Sequence, residues 1–247
     1  MGLSGLTGLS GESGLITAKG WSPSLDNLIA WWTLDEESGN RADSHTNALT
    51  LTDTNTVLYT AGVVGNAALF VKANNEALKH ADDALLRTGD IDFTLGGWFK
   101  LTSSGIEQFL LAKWQSAVGM REYTLGIQNT NIPKFYVSAD GTATVSVVAS
   151  TFGAVGTATW YFFVVSHDAA LNKIHIEINN ATKDSADHAT GVNVNTASFA
   201  LGQLGDTINI NMNGALDETF FYKRLLTDEE KTWFYNGGAG RTYADLL

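Results

Sequence analysis

Cysteine is absent from the 247-residue sequence, so disulfide bonds, thiol catalysis, thiolate zinc sites and iron–sulfur clusters are excluded. Proline occurs only twice, at Pro23 and Pro133, and neither marks a linker between domains. Basic residues are scarce, because 15 Lys and Arg stand against 26 Asp and Glu and leave a net charge of −11. This charge argues against nucleic acid and against anionic membrane surfaces as partners. No apolar run of roughly 18 residues occurs, so no segment is expected to span a bilayer.

The N-terminal segment, residues 1–24, has a composition of its own. Five glycines repeat at a period of three: Gly2, Gly5, Gly8, Gly11 and Gly14. This is the Gly-X-Y spacing of collagen, but these triplets hold no proline, so an independently stable triple helix is not expected. We predict an extended arm that docks on a partner or winds with copies of itself, with a flexible arm as the alternative. The segment has neither a basic region nor a continuous apolar stretch, so a secretory signal peptide is not expected.

Residues 25–247 consist of short aromatic and β-branched runs separated by Gly, Asn, Asp and Ser. Such runs at intervals of about 8–14 residues are typical of antiparallel sandwiches and barrels. The runs are LIAWWTL (28–34), AALFV (67–71), FTLGGWFKL (93–101), QFLLAKW (108–114), YTLGIQ (123–128), KFYVSA (134–139), TVSVVA (144–149), WYFFVVSH (160–167), KIHIEIN (173–179), SFALGQ (198–203) and GALDETFFYKR (214–224). We therefore predict a single all-β domain behind the arm.

Strict alternation assigns the two faces of one segment. In KIHIEIN, the residues Ile174, Ile176 and Ile178 alternate with His175 and Glu177. Because side chains along a strand point to opposite faces in turn, the isoleucines are predicted to face the core and the polar residues to face outward.

One helix is predicted near the C-terminal end of the sequence. Thr227 is followed three residues later by Glu230, the pattern of a capping box, and Asn-Gly-Gly at 236–238 supplies a stop signal. We expect Trp233 and Phe234 to face inward from this helix.

The order of these blocks resembles the laminin-G-like, concanavalin A-like lectin/glucanase superfamily. The closing block carries most of the resemblance and reads G-A-L-D-E-x-F-x-Y-x-R-x-L-T-x-x-E from Gly214 to Glu230. Earlier blocks are LIAWWTLDE at 28–36 and GNAALF at 65–70, and Asn-Asn at 179–180 departs from the Asn-Gly hairpin frequent in the family. The resemblance implies an antiparallel jelly-roll β-sandwich with one short C-terminal helix. It also implies that a ligand lies on the concave face or the loop rim.

Catalytic patterns are missing from the sequence. The superfamily's glucanases carry Glu-x-Asp-x-x-Glu on one strand, and this sequence has no such motif. The acidic runs at 35–37 and 228–230 have structural explanations as a strand end and a helix start. There is no Gly-x-Ser-x-Gly elbow, and no two of the five histidines stand four residues apart: His45, His80, His167, His175 and His188. We therefore predict a protein without enzymatic activity.

A calcium site is implied by the resemblance. In relatives, the Asp of the closing block often binds structural calcium with help from oxygens near the first strand, which corresponds to Asp217 here, with Asp35 as a weaker candidate. The alternative is that Asp217 only accepts hydrogen bonds from a neighbouring turn.

Aromatic residues outside the core are candidates for sugar binding, because an exposed ring can stack on a pyranose face. Trp32, Trp98 and Trp160 lie within strand patterns and are expected in the core. Trp114 stands at a strand end, where exposure is expected. The carbohydrate-binding candidates are Trp114, Tyr59 and Tyr136.

Three functional hypotheses follow. The first is a non-enzymatic surface protein of a larger particle, a phage capsid decoration or fibre protein whose arm binds capsid or tail proteins or forms a homo-oligomer. It rests on the glycine-rich arm and the lectin-like domain, and it places the protein on the virion surface. The second is a free-standing, extracellular carbohydrate-binding lectin or module. The third, a glycan-cleaving enzyme, lacks the paired carboxylates that the reaction needs.

Overall fold

The computed structural model describes residues 21–115, 119–205 and 210–247, so the five glycines of the predicted arm lie outside the described residues. Within these ranges the chain forms fifteen strands, one α-helix and four short 3-10 helices. The strands are β1 (Leu28–Trp32), β2 (Thr52–Thr54), β3 (Leu58–Ala61), β4 (Asn66–Phe70), β5 (Ala77–His80), β6 (Phe93–Leu101), β7 (Gln108–Trp114), β8 (Arg121–Ile127), β9 (Pro133–Val137), β10 (Val145–Val148), β11 (Trp160–Asp168), β12 (Lys173–Ile178), β13 (Asp184–Asp187), β14 (Phe199–Leu201) and β15 (Gly214–Tyr222). The helices are α1 (Asp228–Tyr235) and the 3-10 turns Lys72–Asn74, Ala84–Leu86, Asn236–Gly238 and Tyr243–Leu246.

The strands form two antiparallel sheets packed as a sandwich. The eight-stranded sheet has the order β13-β12-β11-β6-β15-β4-β3. Strand β1 pairs with the C-terminal half of β15, on the same side as β4. The seven-stranded sheet has the order β10-β9-β8-β7-β14-β5-β2. The predicted all-β sandwich with one short C-terminal helix is therefore confirmed.

The main core fills the space between the two sheets. Ile174, Ile176 and Ile178 are each at most 1% exposed and belong to this core, as their alternation predicts. Trp32 also lies there, and its ring stacks on Phe199 of the opposite sheet at a centroid distance of 5.2 Å. Burying such large apolar side chains supplies most of the free energy that favours folding.

A second hydrophobic cluster lies on the outer face of the eight-stranded sheet, under helix α1. Trp31 stacks on Phe220 at 4.9 Å between ring centroids, and Phe234 of the helix packs against both rings. Trp98 also belongs to this outer layer, not to the core between the sheets. The part of this sheet that lies under helix α1 is therefore buried on both faces, whereas its edge strands β3 and β13 keep exposed side chains.

The predicted capping box starts helix α1. The Thr227 hydroxyl accepts a hydrogen bond from the Glu230 amide, and the Glu230 carboxylate accepts one from the Thr227 amide. Asn236 ends the helix in the left-handed conformation at φ 47°, which Asn tolerates better than most residues. Of the two side chains predicted to face inward, Phe234 is buried and Trp233 is half-buried.

The Asn-Asn pair at 179–180 still forms a tight turn. Both residues have φ of 54°, and the Ala181 amide donates to the Ile178 carbonyl over 3.1 Å. Asn populates this left-handed region, so it replaces the Gly of the family pattern without lengthening the turn. In the part of the chain that is described, no helix is long and apolar enough to cross a membrane.

Candidate functional site

A groove lies on the outer face of the seven-stranded sheet, across β7, β8 and β9. The strand register defines this face, because Thr124 pairs with Tyr136 whereas the neighbouring pair of Leu125 and Phe135 lies in the core. The groove has a volume of about 310 Å³. Its lining side chains include Glu107, Phe109, Trp114, Arg121, Thr124 and Tyr136. We call this site the aromatic groove.

Two buried rings form the floor of the aromatic groove. Phe109 is 6% exposed and Trp114 is 7% exposed. A bulge in β7 shifts the register between Phe109 and Leu111, so Leu111 enters the core while Phe109 lies against the outer face. Gly126 gives the Phe109 ring its room, because a Cβ atom at that position would stand 2.9 Å from the ring.

Tyr136 forms a half-buried wall of the aromatic groove. Its ring centroid lies 6.4 Å from that of Phe109 and 4.6 Å from the Nζ atom of Lys134. Burial, and then the nearby Glu107 carboxylate, raise the pKa of the Tyr136 hydroxyl. The hydroxyl therefore stays protonated at neutral pH and can donate a hydrogen bond to a ligand.

Trp114 lies in the groove, but the expectation that its ring is exposed is wrong. The guanidinium carbon of Arg121 lies 5.6 Å from the Trp114 ring centroid, and Arg121 is held in turn by donating to the Thr142 carbonyl. Arg121 thus packs over the ring in a cation–π arrangement. Trp114 contributes apolar floor area and does not form an open stacking platform.

Tyr59 lies far from the other two carbohydrate candidates in the fold. It is 45% exposed on β3, which is an edge strand of the eight-stranded sheet. The structure therefore brings together Trp114 and Tyr136 but not Tyr59. The alternation in YTLGIQ predicts that Thr124 faces outward. No sequence pattern predicts the β7 bulge that places Phe109 in the groove.

Asp217 and Asp35 hold the same turn, between β3 and β4. Asp217 on β15 is fully buried, and its Oδ2 atom accepts hydrogen bonds from the amides of Val63, at 2.6 Å, and Val64, at 3.1 Å. Asp35 is exposed, and its Oδ1 atom accepts from the Asn66 amide at 2.8 Å. Asp217 thus accepts hydrogen bonds from a neighbouring turn through Oδ2.

Glu218 adds a second buried carboxylate beside Asp217. It lies at a register shift in β15 with φ of 42°, and it accepts a hydrogen bond from the Trp31 indole. Burial raises the pKa of Asp217 to about 7 and that of Glu218 to about 9. The negative charge of Asp35 acts in the same direction on both groups.

One observation at this acidic cluster fits a bound cation. The Oδ1 atom of Asp217 and the Oε1 atom of Glu218 are buried, and no donor among the described residues reaches either of them in regular hydrogen-bond geometry. Calcium takes carboxylate oxygens of this kind together with backbone carbonyls and water. Across the three described ranges, no three His, Cys, Asp or Glu side chains form a group that would hold a metal by themselves. Calcium here would therefore need carbonyl or water oxygens as further ligands.

The carboxylate content of the aromatic groove bears on glycoside hydrolysis. Glu107 is the single carboxylate among the described residues that line it. Retaining and inverting glycosidases both place two carboxyl groups across the scissile bond, one as acid and one as nucleophile or base. Among its described residues, the groove thus combines an apolar floor with one carboxylate.

A protein-family model described as "Concanavalin A-like lectin/glucanases superfamily", named Laminin_G_3, matches residues 72–230. This range runs from the turn before β5 into helix α1, and it includes every strand that contributes to the aromatic groove. No curated protein sequence matches the chain.

Solved structures share the fold at low sequence identity. The binding domain of Paraclostridial Mosquitocidal Protein 1 has a TM-score of 0.69 at 16% identity over 86% of this chain and 52% of that one. The binding domain of botulinum neurotoxin DC, in complex with rat synaptotagmin II, has a TM-score of 0.66 at 14% identity over 86% and 52%. Domain 4 of AbnA, a GH43 extracellular arabinanase from Geobacillus stearothermophilus, in complex with arabinotriose, has a TM-score of 0.61 at 19% identity over 87% and 98%. The chain thus spans about half the length of the two toxin domains and nearly all of the arabinanase domain.

Proposed function

This chain belongs to the concanavalin A-like lectin/glucanase superfamily, and from that premise we propose that it is a non-catalytic domain that binds a glycan in the aromatic groove. The observation that carries the proposal is the meeting of Phe109, Trp114 and Tyr136 in one open groove. Sugars offer apolar C–H faces and hydroxyl groups, and the groove offers apolar rings with hydrogen-bonding groups at its rim. Tyr136 supplies a half-buried ring, beside which the Lys134 ammonium lies at 4.6 Å, and a hydroxyl donor. The Arg121 guanidinium supplies a further polar group.

The fold neighbours support a binding role over a catalytic one. Domain 4 of the arabinanase, which was solved with arabinotriose, is matched over 98% of its length, and the two toxin neighbours are binding domains. The described residues of the groove include one carboxylate, whereas glycoside hydrolysis uses two, and this also supports binding without cleavage. Binding of a neutral glycan also agrees with the net charge of −11, which disfavours polyanions.

Two measurements on the same protein distinguish glycan binding from glycan cleavage. Titration calorimetry against a panel of neutral oligosaccharides, arabinan fragments included, is expected to detect weak affinity for at least one of them. Incubation with the corresponding polysaccharides is expected to release no new reducing ends. Sustained release that is lost when Glu107 is changed to Gln would overturn the non-catalytic proposal, and absence of binding to any glycan would overturn the proposal as a whole.

We also propose a structural calcium ion at Asp217, with Asp35 nearby. The support is the buried Oδ1 atom of Asp217, which lacks a donor, and the burial that disfavours its charged form without a cation. Calcium would supply the positive charge that lets Asp217 ionise and would fix the turn between β3 and β4 to β15.

For the setting of the domain we propose display on a larger particle, a phage capsid or tail, at the virion surface. The support is the Gly-X-Y spacing in residues 1–24, which suits an extended arm that binds capsid or tail proteins or other copies of itself. A free-standing extracellular lectin is the alternative. Deletion of residues 2–20 is expected to leave the sandwich folded and to abolish particle binding or oligomerisation, as size exclusion would report. Unchanged assembly would favour the free-standing lectin.

A further inference from the structure

Two histidines distant in sequence meet at one end of the sandwich. His167 lies near the end of β11 and His188 directly follows β13. Their ring centroids are 5.6 Å apart with an interplanar angle of 74°. Both are buried, with His167 fully covered and His188 only 3% exposed. No pattern in the sequence joins them, and the glycan-binding proposal makes no use of them.

Backbone carbonyls define which nitrogen of each ring carries the proton. The Nδ1 atom of His167 lies 2.8 Å from the Ile91 carbonyl, and the Nε2 atom of His188 lies 2.6 Å from the Gly191 carbonyl. A carbonyl oxygen only accepts, so each of these ring nitrogens is the donor. The lone pairs therefore reside on Nε2 of His167 and on Nδ1 of His188.

Those two lone-pair nitrogens are buried and have no hydrogen-bond partner among the described residues. A buried acceptor that lacks a donor lowers the stability of the fold by about 1–3 kcal/mol. Two such nitrogens on neighbouring rings therefore need a structural explanation. Phe93 stacks on the His167 ring at 5.7 Å and holds its orientation.

We propose that His167 and His188 form a binding site for a transition-metal dication of the zinc, nickel or copper type. Metal-binding histidines usually donate their other ring N–H to a backbone carbonyl or a carboxylate, and both rings here do so. Two imidazoles on one tetrahedral ion, with metal–nitrogen bonds of about 2.0–2.1 Å, place their centroids about 5 Å apart. The observed centroid distance of 5.6 Å is close to that value.

The site has the chemistry of a weak, exchangeable metal site. No third His, Cys, Asp or Glu among the described residues completes a metal-holding group with the two rings. Asp90 packs against Gly191, whose carbonyl contacts His188. Neutral imidazole nitrogens favour zinc, nickel and copper over calcium or magnesium. This site is therefore chemically distinct from the acidic cluster at Asp217.

The test uses the full chain without a histidine tag in metal-free buffer. Titration calorimetry with zinc chloride, nickel chloride and copper chloride measures stoichiometry and affinity. The variants are His167→Gln, His188→Gln and, as the matched control, His80→Gln, because His80 also contacts a backbone carbonyl but lies outside the pair. Long-range proton–nitrogen spectra of the wild type, with and without zinc, identify which imidazole nitrogens bind the metal.

One metal ion per chain is expected for the wild type and for His80→Gln, with at least a tenfold loss of affinity in either pair variant. The spectra are expected to shift Nε2 of His167 and Nδ1 of His188. Equal metal binding by all variants, no binding at millimolar metal, or shifts confined to other histidines would each overturn the proposal. The spectra need only the wild-type protein, so they decide the matter even if a variant fails to fold.

Discussion

Lys231 of helix α1 forms an ion pair with Glu177 of β12, with 2.6 Å between Nζ and Oε2. The two side chains are 8% and 7% exposed, and Lys231 also contacts the exposed Asp228 at 2.7 Å. The alternation in β12 places Glu177 on the outer face of the sheet, and helix α1, which lies much later in the chain, buries it there. The pair fastens helix α1 to the eight-stranded sheet.

Breaking this ion pair from one side is expected to be costly. Lys231→Met leaves the Glu177 carboxylate buried without its cation, which we expect to lower the free energy of unfolding by about 3 kcal/mol. The double variant Lys231→Met with Glu177→Gln removes both charges and is expected to recover part of that loss. Urea unfolding of the two variants measures the difference, and equal stability of the single and double variants would contradict this account.

The half-buried Tyr136 ring in the aromatic groove is expected to matter for glycan affinity. Tyr136→Ala removes the half-buried wall and its hydroxyl, and we expect at least a tenfold weaker affinity, or about 1.4 kcal/mol. Tyr59→Ala is the matched control, because Tyr59 is an exposed tyrosine on the other sheet. Calorimetry with the best-binding glycan compares them. Equal losses in both variants, or none in either, would remove the groove from consideration.

Calcium is expected to stabilise the fold through Asp217. At a hundredfold excess over Kd, a ligand that binds only the folded state adds about 2.7 kcal/mol. A chelator is then expected to lower the Tm of the wild type but not that of Asp217→Asn, which retains an oxygen for the turn amides. Asp140→Asn serves as the control, because Asp140 also accepts hydrogen bonds from turn amides. Identical wild-type melts with and without chelator would count against the ion.

Glu122 is expected to make the stability depend on pH. Burial raises its pKa to about 7 from an ordinary 4.5, although the Lys113 ammonium 3.8 Å away acts in the opposite direction. Between these values the folded chain holds a proton that the unfolded chain has released, so the free energy of unfolding falls as pH rises, by at most about 1.4 kcal/mol per unit. Glu122→Gln stays neutral and is expected to show a smaller slope in urea unfolding from pH 5 to 7. An unchanged slope would show that Glu122 is ionised throughout.

The fold was largely predictable because local patterns and tertiary packing agree over most of the chain. The β12 isoleucines and the capping box at Thr227 each act through neighbours a few residues away, so the sequence alone contains their cause. The burial of Glu177 was not predictable, since it depends on Lys231 of helix α1, which lies much later in the chain. Alternation predicts on which face of the sheet a residue lies, but it does not predict which other element covers that face.

The candidate site was predictable only in part. Tyr136 lies on a regular strand, so its outward position follows from the period of two. Trp114 was expected to be exposed because it ends a strand, but Arg121, brought alongside by the β7–β8 pairing, covers it. Phe109 lines the groove because of a bulge in β7. His167 and His188 are in contact although they are distant in sequence. No local pattern in the sequence predicts either arrangement.

The position of β15 has a consequence for how this protein is made. It is the last of the described strands along the chain, yet it lies inside the eight-stranded sheet, bonded to β6 on one side and to β4 and β1 on the other. During synthesis, β1 and β4 can form their hydrogen bonds to β15 and bury the adjacent apolar side chains only after β15 has left the ribosome. Assembly of this sheet is therefore expected to be slow and late, and nascent chains that stop short of β15 should expose aggregation-prone edges.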